Sequence, residues 1–151
     1  MTTIDLPSLL SDDHIDLRLR AQSKVGLLGE LARRAAGLVH QPEVGLAQAL
    51  AAREALGSTG FGAGVALPHA RVDGLSGVFG FFARLERPVA FEAIDGRPVD
   101  LVFLLLSPVS ANSEHLAMLA AVSRRLRDRA VADALRGAAS VADVRGLLAN
   151  K

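Results

Sequence analysis

The sequence predicts an α/β fold, a single domain with a mixed β-sheet flanked by helices on both faces, and three observations carry that expectation. The chain has 151 residues, half of them hydrophobic, which is enough to bury one core. Two runs, 78–85 and 99–106, are apolar at successive positions, as strands are when both sheet faces are covered. Segments with apolar residues at helical spacing stand on either side of those runs. The chain shows no repeat, linker or low-complexity stretch, so residues 1–151 read as one domain.

Each element has its own signal. Residues 4–10 form a short apolar lead-in, and residues 14–19 (HIDLRL) alternate apolar and polar, which predicts a strand with one buried face. Ser23 reads as the N-cap of a helix whose stripe holds Val25, Leu28, Leu31, Ala35 and Leu38. Pro42 suits the first turn of a second helix with Leu46 and Leu50 on its apolar face. Arg53 continues that face, Glu54 reads as a solvated charge, and Gly57 ends the helix. Between the two apolar runs, residues 94–98 contain Asp95-Gly96, a strong turn signal. Asn112 or Ser113 is expected to cap a third helix with His115, Leu119, Val122 and Leu126 on one stripe. Helical pieces at 130–135 and 141–148 close the chain.

Composition removes several classes of function. Seventeen basic against sixteen acidic residues leave a net charge of +1 without a basic cluster, which argues against nucleic acid as a partner. With no Trp or Tyr there is no usual base-stacking platform. The absence of cysteine excludes disulfides, thiolate metal sites and a cysteine nucleophile. The longest apolar run is far too short to cross a bilayer, and the start of the chain has no signal-peptide pattern, so a cytoplasmic location without membrane insertion is expected. No G-x-x-x-x-G-K-[ST], no G-x-S-x-G and no histidine pair at metal-ligand spacing occurs, so neither a metal nor a cofactor is expected.

The segment 52–71 (AREALGSTGFGAGVALPHAR) stands apart. Gly57, Gly60, Gly62 and Gly64 permit close backbone approach, and Pro68 pushes Leu67 toward an extended conformation. His69 is thereby presented from a stiff frame. Imidazole is nucleophilic and substantially neutral at cellular pH, so His69 is a candidate to accept a group covalently. The bland alternative is a buried histidine satisfied by backbone. His115, in the first turn of a helix, is a candidate neutral hydrogen-bond donor beside free backbone N–H groups, or else a cap residue. Arg53 is either an anion ligand through its planar fork or half of a structural salt bridge. His14 and His40 have no comparable context.

The stretch Arg53-Glu54, Gly57-Ser58-Thr59-Gly60-Phe61-Gly62 and Gly64-Val65-Ala66-Leu67-Pro68-His69-Ala70-Arg71 closely resembles the active-site segment of IIA domains of the phosphoenolpyruvate-dependent phosphotransferase system, mannitol/fructose class. The likeness continues through Phe91, Ile94-Asp95-Gly96, residues 98–106 and Glu114-His115-Leu116. Within that class, the length, Leu9-Leu10 and Ser23-Lys24 are most similar to the nitrogen-regulatory type; Ala63 departs from the Asn or His that relatives often carry. The resemblance implies that His69 is phosphorylated by an HPr-like phosphocarrier, with Arg53, His115, Ser58 and Thr59 holding the phosphoryl group and no metal required. It implies a phosphorylation-dependent regulator acting on target proteins. The alternative is a sugar-specific component that passes phosphate to a cysteine of a separate IIB protein.

Overall fold

A computed structural model describes residues 5–149. Its centre is a six-stranded mixed sheet. Strand β1 (Ile15–Leu19) lies at one edge, parallel to β5 (Phe79–Val89), which runs antiparallel to β6 (Val99–Pro108). On its other side β6 pairs in parallel with β3 (Val65–Ala66) and β4 (His69–Val72), and β2 (Gly60–Gly62) closes antiparallel on β3. Val65 faces Leu101 and His69 faces Leu105, so β3 and β4 keep one register against β6. They are a single strand interrupted at Leu67-Pro68. Pro68 has no N–H to offer, but its carbonyl still accepts from the Leu105 amide at 3.0 Å, while the Leu67 amide turns to Thr59 O at 3.0 Å. His69 therefore starts β4 with the backbone ahead of it tied on both sides.

The two long apolar runs divide their side chains by the period of two. Phe81, Ala83, Val102, Leu104 and Leu106 face one way and pack against α1 (Lys24–Val39) and α2 (Glu43–Ala55). Phe82, Leu101, Phe103 and Leu105 face the other way, against α3 (Asn112–Arg127), α4 (Arg129–Arg136) and α5 (Val141–Leu148). Helices on both faces of a mixed sheet confirm the expected α/β architecture. The apolar lead-in contributes Leu6 and Leu10 to the second core through a 3-10 turn, Leu6–Leu9; Ile4 lies outside the described residues.

Local chemistry explains most boundaries and four corrections. Ser23 caps α1, its hydroxyl accepting from the Gly26 amide at 3.0 Å. Val25, expected on the buried stripe, is 81% exposed, because it lies about 120° around the helix from Leu31 at 3.6 residues per turn. Pro42 stands just outside α2 as its N-cap, and Gly57, at φ +147°, follows its end. Glu54, expected in solvent, is buried: it follows Leu46 and Leu50 at steps of four and shares their face, with Arg53 beside them. The cap of α3 is Ala111 in place of Asn112 or Ser113, which puts His115 at the fourth helical position, its amide already bonded to Ala111 O. On that helix Met118 fills the buried stripe and Leu119 is only partly covered.

The β2–β3 hairpin, unforeseen from the sequence, turns on Ala63 and Gly64, both at positive φ (58° and 81°). Asp95 holds the Ala63 amide at 2.9 Å, and Arg136 donates to the Ala63 carbonyl at 2.6 Å. Gly60 is a close-approach position, where an added Cβ would come within 2.9 Å of the Ala93 side chain.

Candidate functional site

Three elements converge on one open cleft of about 830 Å³: the C-terminal end of α2, the start of β4 and the N-terminal end of α3. They bring Arg53, His69 and His115 together on its wall. His69 Nδ1 lies 2.8 Å from the Leu67 carbonyl, which can only accept, so Nδ1 carries the ring proton. The lone pair is then on Nε2, where it accepts from the Nε–H of Arg53 at 3.2 Å. Arg53 also donates from Nη1 to Gly57 O at 2.9 Å, and among the described residues it makes no ion pair with a carboxylate.

His115 is buried, with its ring centroid 5.6 Å from that of His69 and the planes inclined by 51°. Its Nδ1 lies 2.6 Å from Ser107 Oγ. Burial is the largest influence pushing both histidines below the ordinary imidazole pKa. For His69 the Leu67 carbonyl bond partly offsets that fall, the Arg53 charge adds to it and Glu54 opposes it. For His115 the neighbouring His69 and Arg71 reinforce the burial effect. Both rings are accordingly held neutral at pH 7, one presenting a nucleophilic nitrogen beside a guanidinium.

Ser58 and Thr59 sit in the loop after α2, but neither lines the cleft. The Ser58 hydroxyl donates to Phe91 O at 3.0 Å and accepts from the Gly60 amide at 3.0 Å. The Thr59 hydroxyl donates to the Glu54 carboxylate, which also receives the Thr59 amide at 3.1 Å. Lys24 reaches the same carboxylate at 3.0 Å, and its ammonium stands 4.7 Å from the centre of the Phe91 ring. The buried Glu54 and Thr59, joined by the partly covered Lys24, which also reaches Glu92 at 3.3 Å, thus brace the loop behind His69.

Sequence reasoning passed over Arg71 and Ser107. Arg71 follows His69 by two residues on β4, so it shares a sheet face and lines the cleft. Period-two spacing was signal enough for it. Ser107 follows directly on an apolar run, and nothing local announces its bond to His115. Leu56 and Leu116, 83% and 66% exposed, also line the cleft. His14 and His40 serve the scaffold: His14 Nδ1 donates to Gly80 O at 2.8 Å, and His40 closes α1 in the left-handed conformation. Among the described residues no group of three or more His, Asp or Glu is placed to hold a metal, and no helix is long and apolar enough to cross a membrane.

The chain and its fold have counterparts in known proteins. Residues 8–151 match the family model of the phosphoenolpyruvate-dependent sugar phosphotransferase system, EIIA 2. The chain is 44% identical over 144 residues to a nitrogen regulatory protein of Bradyrhizobium diazoefficiens, covering 95% of this chain and 94% of that one. It is 33% identical over 151 residues to a fructose-specific EIIA component of the same system in Haloferax volcanii, covering 99% and 97%. The crystal structure of nitrogen regulatory protein IIA-Ntr from Neisseria meningitidis superposes with a TM-score of 0.91 at 36% identity, covering 95% and 98%. The chain belongs to the EIIA 2 family of this phosphotransferase system, a family of phosphotransfer components.

Proposed function

We propose that this protein is a phosphohistidine carrier that takes a phosphoryl group from an HPr-like phosphocarrier onto Nε2 of His69 and acts as a phosphorylation-dependent regulator in the cytoplasm. One observation carries the chemistry: Leu67 O ties up the Nδ1 proton, leaving the Nε2 lone pair in the cleft beside Arg53. The N–P bond to Nε2 forms as the donor's N–P bond breaks, and the electron pair returns to the donor imidazole, which then takes up a proton. Arg53 gives up its bond to Nε2 and donates to the phosphoryl oxygens, spreading their charge as they pass between the two rings. His115, its ring centre 5.6 Å from that of His69, donates to the same group. Ser58 and Thr59 act through the loop they brace, since their hydroxyls are already committed.

The regulatory half of the reading rests on the likeness to two nitrogen regulatory proteins along almost the whole chain. A second reading, a sugar-specific component that hands phosphate to the cysteine of a separate IIB protein, has support from the fructose-specific relative. Incubation with phosphoenolpyruvate, enzyme I and each candidate phosphocarrier, followed by mass spectrometry, tests the carrier chemistry. Wild type should gain one acid-labile, base-stable phosphoryl group, and His69→Ala should gain none. Phosphorus–nitrogen NMR coupling should place the group on Nε2; phosphorylation of His69→Ala would sink the assignment. Adding a purified fructose-type IIB protein separates the two readings, because rapid transfer to its cysteine favours transport.

A further inference from the structure

We propose that Ser107 is a positioning residue for phosphoryl transfer: its hydroxyl donates to Nδ1 of His115 and so keeps the His115 proton on Nε2, the nitrogen left to the cleft. The inference rests on the carrier reading above but comes from a separate accounting of protons.

Ser107 lies in β6 with no exposed surface, opposite Arg71 in the sheet register. The partner of its hydroxyl is His115 Nδ1, at 2.6 Å. A neutral imidazole has one donor and one acceptor nitrogen, so two arrangements are open. If Nδ1 carried the proton, Ser107 Oγ would accept it, and the hydroxyl hydrogen would be left in a dry interior without an acceptor. If Ser107 donates to Nδ1, every polar hydrogen of the pair is used, and the remaining proton sits on Nε2. The second arrangement is favoured because only it leaves no buried donor unmatched. It presupposes a neutral ring, which burial and the neighbouring His69 and Arg71 maintain.

The consequence is chemical. An Nε2–H can donate to a phosphoryl oxygen on His69, whereas a bare Nε2 lone pair would repel that anion. Ser107 thus decides whether His115 attracts or opposes the group that His69 carries. The side chain touches neither the cleft nor the phosphoryl group; it acts through the tautomer of a neighbour.

Nitrogen-15 NMR of unphosphorylated wild type at pH 7.5 reads the tautomer without needing any phosphotransfer. The Nε2–H form is expected for His115, and the Nδ1–H form would overturn the proposal outright. In Ser107→Ala the tautomer should become mixed, and phosphoryl transfer from His69 should slow about tenfold. Ser107→Thr, which keeps a hydroxyl, should restore the Nε2–H form. Ser107→Ala should add nothing to the slow rate of His115→Ala; additive losses would mean that Ser107 acts by packing, and overturn the proposal. A chain that shows the expected tautomer yet takes no phosphoryl group would refute the carrier reading while leaving the proton accounting in place.

Discussion

Arg53 combines two effects that substitution can separate. Its charge helps to depress the His69 pKa, and its fork matches phosphoryl oxygens. Arg53→Lys keeps the charge and loses the fork, so phosphotransfer should slow while the His69 titration, followed by NMR, stays close to wild type. Arg53→Gln loses both, so the His69 pKa should rise and the rate should fall further. A large loss of stability in Arg53→Lys with normal transfer would mark a structural arginine instead. His115 offers a cleaner subtraction. His115→Ala leaves the nucleophile intact and removes one hydrogen bond to a charged group, which contributes about 1.5–3 kcal/mol. Rapid-quench kinetics should show a loss of about tenfold to a hundredfold, with phosphorylation still reaching completion.

At the scale of elements, the cleft depends on how the end of α2 is joined to the loop behind His69. Glu54 accepts from Thr59 of that loop and pairs with Lys24 at the start of α1, so one buried carboxylate fastens two helices to the glycine-rich loop. Lys24 keeps a second, exposed partner in Glu92 at 3.3 Å, so the cost of removing Glu54 falls mainly on the two buried Thr59 donors left without an acceptor, about 1–3 kcal/mol for each. Glu54→Ala should therefore lose about 3 kcal/mol in urea denaturation and transfer phosphate more slowly as the loop loosens. Full stability in Glu54→Ala would show that these contacts contribute nothing. The sequence misled here for a definable reason. Arg53 and Glu54 both neighbour the Leu50 stripe, at steps of three and four, and a charged side chain looks solvated until its partner is known. That partner, Lys24, is thirty residues away in sequence, and its ammonium carries no local mark of the pairing.

At the scale of the whole molecule, the same distinction between local and distant signals sorts what was legible. The two doubly covered strands and the helices announced themselves through periodicity, which is local. The alignment of β3 with β4 rests on pairing with the distant β6, and the β2–β3 hairpin, though local, is built from strands too short to show a period, so both left little trace. His69, Arg53 and His115 stood out by their context or their place on a stripe, while Ser107 shows its role only once β6 lies beside α3.

The assembled cleft also makes a prediction for the protein as a unit. Folding places His69 and His115 where protonation is disfavoured, so the unfolded chain binds protons more readily than the native state at these two sites. Stability must then rise with pH across the interval from their lowered native pKa values up to the unfolded value of about 6.5, and it is lost as pH falls through that interval. The carboxylates of Glu30, lowered mainly by Arg33, and Asp95, lowered mainly by the Ala63 amide, act in a more acidic window, below their ordinary values of 4.5 and 3.8. Urea denaturation between pH 7.5 and pH 5 therefore isolates the histidines. Wild type should hold most of its stability down to about pH 6.5 and lose it progressively below that. A double variant, His69→Gln with His115→Gln, should show a visibly flatter dependence, because Gln occupies similar space and cannot be protonated. An equal slope in both proteins would mean that the cleft admits protons as freely as solvent does. That result would also remove the reason for both rings being neutral when phosphate arrives.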